Sequence, residues 1–598
     1  MNGLTLMAVV IVCLWLGYHF YGRWLEKTWG IDPNAKTPAA LRNDGKDYQP
    51  ASRLSVFAHQ FTSITGAGPV TGPIIAAMFG WLPALLWIII GGIFFGAVQD
   101  FTALYASVRN GGKSMGMIIE QYVGRFGRQL FLAFCWLFTL LVIAAFADMI
   151  AATFNGFTKT GEQNMPNAAA ASISMIYIVG AVIFGLFQKY VKPSSGLQLA
   201  VGITMMIAML AMGIAWPIYA DADTWRVVVF LYAFAASVMP MWILKQPRDF
   251  LSMFLLFGMI IAGVVGVFVT NPTINMPAFV GWEVKGLDLF PILFVTIACG
   301  AISGFHSLVS SGTSSKMIAN ETDMRPVGYG AMLMEGFVAI MALVAACVLV
   351  PADYFAINAP ADKFAKLGMS VVDLPTLEKE VAESLMHRPG GSVSLAVGMA
   401  HIFGQIPWMS HLMSYWYHFA IMFEAVFILT AVDAGTRVGR FFLQEMIGKV
   451  IPKFADKEWV PGVIITSVLF TGSWGYLVYS GDIGSIWPLF GICNQLLASV
   501  TLLIGTTVIL RMNKAKYAWI TGVPGLFMTV ITFWAGIWLI VNQYLPGGKI
   551  LLATLSVIVM LLMLFVIYGT LRRWFALLAI HTTTKDEYGE DVKVVVQE

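Results

Sequence analysis

The stretch Leu54–Trp81, LSVFAHQFTSITGAGPVTGPIIAAMFGW, has the length and apolarity of a membrane span, yet its middle resists a continuous helix. Gly66, Gly68 and Gly72 lower helix propensity, and Pro69 and Pro73 remove backbone donors. Non-helical backbone at membrane depth survives where it is buried in protein or lines a wet cavity. The spacing predicts two half-helices meeting at Gly66–Pro73. The first, ending near Thr65, presents free carbonyls to a cation. The second presents free N–H groups of Val70–Ile74, including Thr71 and Gly72, to an anionic substrate. The alternative is a proline-kinked helix with no ligand.

A second chemically rich stretch is VTIACGAISGFHSLVSSGTSSK, on a span at 289–311 and just beyond. Ser303, His306, Ser310 and Thr313 share one helical face, flanked by Ser311 and Ser314. With Thr65, the hydroxyls of Ser310 and Thr313 can hold a hard cation such as Na⁺. Equally, they can bond their own helix carbonyls. His59 and His306 can carry a coupled proton, or can be neutral groups bonded to carbonyls. Acidic residues inside spans are costly, which singles out Asp100, Glu335, Glu424 and Asp433. Asp433 can pair with Arg437 one turn on. Asp100 and Glu424 are the better candidates for a proton relay. No P-loop, HExxH or GxSxG context appears, and no compact set of nucleophile, base or metal ligands, so neither an enzyme nor a self-sufficient ATP-driven pump is expected.

The elements that must position these residues are membrane helices. The 598 residues are 58% hydrophobic and 12% charged, with a mean hydropathy of +0.77. An ordinary soluble domain carries about twice that charged fraction. Apolar runs of span length recur throughout, about fifteen in all, and β-barrel alternation is absent. The five cysteines sit in apolar runs without CxxC spacing and read as packing residues. Leu4–Tyr21 lacks a basic n-region and reads as a first span rather than a signal peptide. Lys and Arg then fall on alternate loops, beginning with Arg23–Arg53, which predicts N-terminus outside and C-terminus in the cytoplasm.

The expected organisation is an extra span within 1–23, five helices over 54–217, and five of opposite orientation over 227–434. That second set includes an extracytoplasmic loop at 351–391 and a short re-entrant piece at 393–408. Further spans cover 460–571, and a cytoplasmic tail covers 572–598. Inverted five-helix repeats with broken first helices are a known transporter architecture. The second repeat is accordingly expected to break at Pro240, in FAASVMPMWILKQPRDF, so that Ser237 and Met239 face the first break.

The segments TPAALRNDGKDYQP, FAHQFTSITGAGPVTGP, GAVQDF, MWILKQPRDF, TIACGAISGFHSLVSSGT, GAMLMEGFVAIMAL and FEAVFILTAVDAGTRVGRFFLQE occur in order and together resemble the carbon starvation protein A family. The resemblance covers nearly the whole chain. It implies an inner-membrane importer of pyruvate or small peptides, used when preferred carbon runs out. It also implies kinship with the amino-acid–polyamine–cation superfamily of LeuT-like fold, in which a glycine-rich break receives the substrate carboxylate. The matching positions here are Gly66, Ala67, Gly68 and Pro69–Thr71. The function expected is thus secondary active import of a small carboxylate or peptide, coupled to H⁺ or Na⁺, without a cofactor or nucleic acid. A starvation sensor signalling through the tail is the alternative from another class.

Overall fold

The computed structural model describes residues 1–598 except 44–47, 159–160, 240–242, 360–363, 366, 382–384, 387–390, 407–412, 457–458, 481–485, 581–582, 586–590 and 594–598. Among the described residues, twelve helices are long and apolar enough to cross a membrane, from Gly3–Trp29 to Ile550–Ala579. Strand is confined to two short hairpins, at 283–288 and 583–593. The long helices are apolar all round, as expected where a neighbouring helix or a lipid tail covers each face. Many side chains on the outermost helices, such as Val530, Trp534, Phe565 and Tyr568, are exposed in the isolated chain.

Two further helices are interrupted. The first runs Arg53–Ile64, breaks, and resumes at Gly68–Ala76. The interruption is shorter than the glycine and proline spacing predicts. Only Thr65–Ala67 falls outside the helices, because Pro69 sits in the first turn of the second half, where its fixed φ suits a helix start and its missing N–H removes nothing. Pro73 is then accommodated inside the half-helix.

The second interrupted helix is Leu289–Thr296 followed by Gly304–Gly312, with irregular chain between. This corrects two expectations: 289–311 is not a continuous span, and the partner of the first break is not 227–244. The helix Ala222–Val238 ends before Pro240, which itself lies outside the described residues, and the next helix begins at Lys245. Two glycines permit the second break. A Cβ on Gly300 would lie 2.5 Å from the Ala339 Cβ, and one on Gly304 would lie 2.4 Å from the Asn494 carbonyl oxygen.

Each interrupted helix is followed by a long one, Trp81–Arg109 in the first case and Glu321–Val348 in the second. The pairing crosses over. Residues 331–348 pack on the second half of the first broken helix, and residues 97–109 pack on 304–312 of the second.

Candidate functional site

The two breaks lie against each other. A Cβ on Gly68 would sit 2.4 Å from the Cys299 Sγ, and one on Gly72 would sit 2.6 Å from the Thr296 carbonyl oxygen. Glycine therefore lets the Cys299 side chain approach the chain at position 68 and backbone approach backbone at position 72. The segment facing the first break is thus Thr296–Gly304. Ser237 lies elsewhere, donating to the Phe234 carbonyl and to the Ser467 hydroxyl, while the Met239 carbonyl accepts from Arg437.

The backbone of the second break is well satisfied by side chains. Trp87 Nε1 donates to the Ile297 carbonyl at 3.1 Å, and Gln99 Nε2 to the Ser303 carbonyl at 2.6 Å. Asn494 Oδ1 accepts from the Phe305 N–H at 3.1 Å, and Gln495 donates to the Phe294 carbonyl. Asn494 also bonds the Ser303 hydroxyl and donates to Cys299 Sγ at 3.3 Å. Asn494 and Gln495 come from Ile486–Arg511, a helix buried among the others.

The first break differs. The Val70 and Thr71 N–H groups, expected as free donors, are taken by the Ala67 carbonyl at 3.1 and 2.9 Å. The N–H groups of Gly66, Ala67 and Gly68 have no partner among the described residues. Ala67 and Gly68 are buried, and a Cβ on Gly66 would meet nothing within 4 Å. Buried N–H groups are almost always paired, so three consecutive unused ones have the chemistry to accept an anion. Thr65 adds a buried hydroxyl oxygen without a partner.

Asp100 and His306 come together, and Glu335 joins them. His306 Nδ1 lies 2.8 Å from Asp100 Oδ2, and Nε2 lies 2.9 Å from Glu335 Oε2 without in-line hydrogen-bond geometry. All three side chains are 0% exposed. Three elements supply them: Ala97–Arg109, Gly304–Gly312 and Ala331–Val348. The imidazole thus bridges two carboxyl groups across both broken-helix partners. Such a set can gain or lose a proton without moving a charge into lipid. Glu424, the other expected relay residue, stands apart: its carboxyl is buried and both oxygens lack partners among the described residues.

The hydroxyl stripe fastens the first half-helix instead of surrounding one ion. Gln60 Nε2 donates to Ser310 Oγ at 2.9 Å, and Ser314 Oγ donates to Gln60 Oε1 at 2.6 Å. His59 Nε2 lies 3.0 Å from Thr313 Oγ1. The Ser310 and Thr313 hydroxyls are thus engaged by Gln60 and His59, and no hydrogen bond joins either to Thr65 among the described residues. Ser311 is occupied in packing, donating to the Ser307 carbonyl and accepting from the Met115 N–H. Sequence reasoning passed over Gln60, Gln99, Asn494 and Gln495. Their signal was an amide in the middle of an apolar run, as in GICNQLLAS.

The model of the family described as carbon starvation protein CstA matches residues 2–535. A Bacillus subtilis protein named peptide transporter CstA is 41% identical, over 96% of this chain and 97% of its own length. An Escherichia coli protein named pyruvate/proton symporter BtsT is 38% identical, over 87% of this chain and 79% of its own. Among solved structures, a manganese transporter from Eremococcus coleocola aligns with a TM-score of 0.46 at 11% identity, over 88% of this chain and 95% of that one.

Proposed function

The chain belongs to the carbon starvation protein CstA family, and from that premise we propose that it is a proton-coupled importer of a small carboxylate, pyruvate first. The single observation that carries this reading is the row of unused N–H groups at Gly66, Ala67 and Gly68. A carboxylate accepts from several convergent N–H groups, and the charge-assisted bonds are roughly twice as strong as neutral ones. The positive end of the Gly68–Ala76 half-helix adds to the attraction. Names of relatives, one a peptide transporter and one a pyruvate/proton symporter, bracket the cargo.

Coupling falls to Asp100, His306 and Glu335. His306 lies on the second broken helix, so its protonation alters the attraction between that helix and both neighbouring long helices. Protons are favoured over Na⁺ because the buried Asp100–His306–Glu335 set can take up and release one, while the Ser310 and Thr313 hydroxyls are engaged by Gln60 and His59.

The same reading assigns a LeuT-like inverted repeat. Its two units begin at the two broken helices, the second at Leu289 rather than at 227. Fifteen spans result when the two broken helices and the 17-residue Ala222–Val238 join the twelve long ones. The protein resides in the inner membrane, with N-terminus outside and C-terminus in the cytoplasm.

Peptide import is the second reading, favoured by Glu424. Its partnerless carboxyl suits the ammonium of a peptide, and the adjacent Phe423 lines a small cavity with Val70 of the second half-helix. Proteoliposomes test both. Labelled pyruvate or dipeptide is offered under an imposed H⁺ or Na⁺ gradient, to wild type, Gly68→Leu and Glu424→Gln. Pyruvate uptake driven by H⁺ and lost in Gly68→Leu is expected. Wild-type uptake by Gly68→Leu refutes the proposal. Dipeptide uptake lost only in Glu424→Gln establishes the second reading.

A further inference from the structure

Helix Met413–Gly448 carries a charge that the transport reading leaves unused. Asp433, Arg437, Arg440 and Gln444 follow one another at helical spacing on its buried face. Asp433 is committed to Arg248 and to the Tyr232 hydroxyl. Asp249, half-buried, lies on the Arg248 side. Arg437 is spent on the carbonyls of Ala236 and Met239, where it closes the end of helix Ala222–Val238. Arg440 is only 4% exposed, its Nε is buried without a partner, and no hydrogen bond or carboxylate reaches its guanidinium among the described residues; the Phe441 ring lies 4.5 Å away. One turn on, Gln444 is 3% exposed, and both ends of its amide lack partners.

A buried guanidinium without a counter-charge costs several kcal/mol and is retained where something supplies that charge. Arg437, three residues away, repels it further. We infer that Arg440 and Gln444 form a second anion site, separate from Gly66–Gly68, that takes a small oxyanion, either a carboxylate or a phosphate group. The guanidinium fork binds two oxygens of such an anion at once, and the Gln444 amide donates a third bond. The carboxylate source is cargo moving along helix 413–448. The phosphate source is a free or lipid-borne phosphate.

The test is thermal unfolding of the purified full-length protein, followed by tryptophan fluorescence in chloride-free sulfonate buffer. Sodium phosphate and sodium pyruvate are titrated separately into wild type, Arg440→Gln, Gln444→Leu and Gly68→Leu. A saturable rise in the melting temperature is expected with at least one anion. Arg440→Gln should raise the half-saturating concentration tenfold or more and Gln444→Leu several-fold, while Gly68→Leu should leave the phosphate titration unchanged. A phosphate response identifies the phosphate source, and a pyruvate response that persists in Gly68→Leu identifies the cargo source. Without either anion, Arg440→Gln should melt at or above wild type, because an uncompensated charge has gone; a merely structural arginine would leave a destabilised variant. No response to either anion in wild type, or the same response in Arg440→Gln, overturns the inference. Should Arg440→Gln fail to fold, an unchanged titration in Gln444→Leu does so. A pyruvate response lost only in Gly68→Leu belongs to the first break and also counts against Arg440.

Discussion

Gly68 and Gly66 are two residues apart, yet a methyl group added at each should have opposite consequences. At Gly68 the new Cβ would lie 2.4 Å from Cys299 Sγ and 2.7 Å from its Cβ. Ordinary contact begins at 3.4 Å, so the two broken helices must separate by about 1 Å where they cross. Overpacking of that kind costs about 1–3 kcal/mol. At Gly66 nothing lies within 4 Å, and the left-handed region is not used, so Gly66→Ala should be close to neutral. Cys299→Gly removes both clashing atoms, at the loss of a bond from Asn494 worth about 1 kcal/mol. The four proteins Gly68→Ala, Cys299→Gly, their double variant and wild type form a cycle. A coupling of about 1–2 kcal/mol is expected, with the double variant more stable than the sum of its parts. The assay is thermal unfolding alongside initial rates of pyruvate uptake, in which each 1.4 kcal/mol of bias against the closed crossing is worth about tenfold. Equal behaviour of Gly66→Ala and Gly68→Ala, or additive effects in the cycle, would refute the crossing.

Three other outcomes follow from the same geometry. Glu335→Gln and Asp100→Asn each keep the shape of the buried set but remove a charge beside His306; uptake driven by a pH gradient should be lost while exchange of labelled for unlabelled pyruvate persists. Asn494→Ala strands the half-buried Phe305 N–H and should lower stability by about 1–3 kcal/mol, whereas Asn494→Asp keeps the acceptor and should recover most of it in a thermal melt. Outside the membrane, the hydroxyl and backbone N–H of Thr224 hold the Asp221 carboxyl below its usual range. A lowered folded value means that its contribution is present above about pH 4 and is lost as pH falls through the folded value. Hydrogen exchange in the first turn of Ala222–Val238 should therefore quicken in acid for wild type but not for Asp221→Asn.

The first break was legible because its disruption is local: three glycines and two prolines within eight residues declare themselves to any helix-propensity argument. Its extent was not, since the same proline that forbids helix in mid-span favours a helix start, and Pro69 took the second role. The second break was hidden because its causes are distant. Gly300 and Gly304 look like ordinary packing glycines until Asn494 and Gln495, almost 200 residues on, are seen satisfying the chain on either side of them. The helix Ala222–Val238 ends before Pro240, so the sequence offered no interrupted span there to pair with the first break. Asp100, His306 and Glu335 could each be suspected from the cost of burying charge. Their meeting depends on the crossover by which each long helix packs on the other broken one, and no local periodicity encodes that.

The two halves of the first broken helix are anchored very differently. The outer half is wedged: the Tyr354 hydroxyl bonds the Ile74 carbonyl at 2.6 Å, and Gly391 and Thr296 abut Thr71 and Gly72 through backbone. The inner half is tethered by side chains, through Gln60 and His59 to hydroxyls and through Arg53 to the Asp323 carboxylate. If a leaf swings to release cargo, it is therefore the short rod Arg53–Ile64, pivoting at Thr65–Ala67 like a latch on a fixed post. The N–H groups proposed to hold the anion would then be the hinge pin itself, and letting go and opening would be one motion.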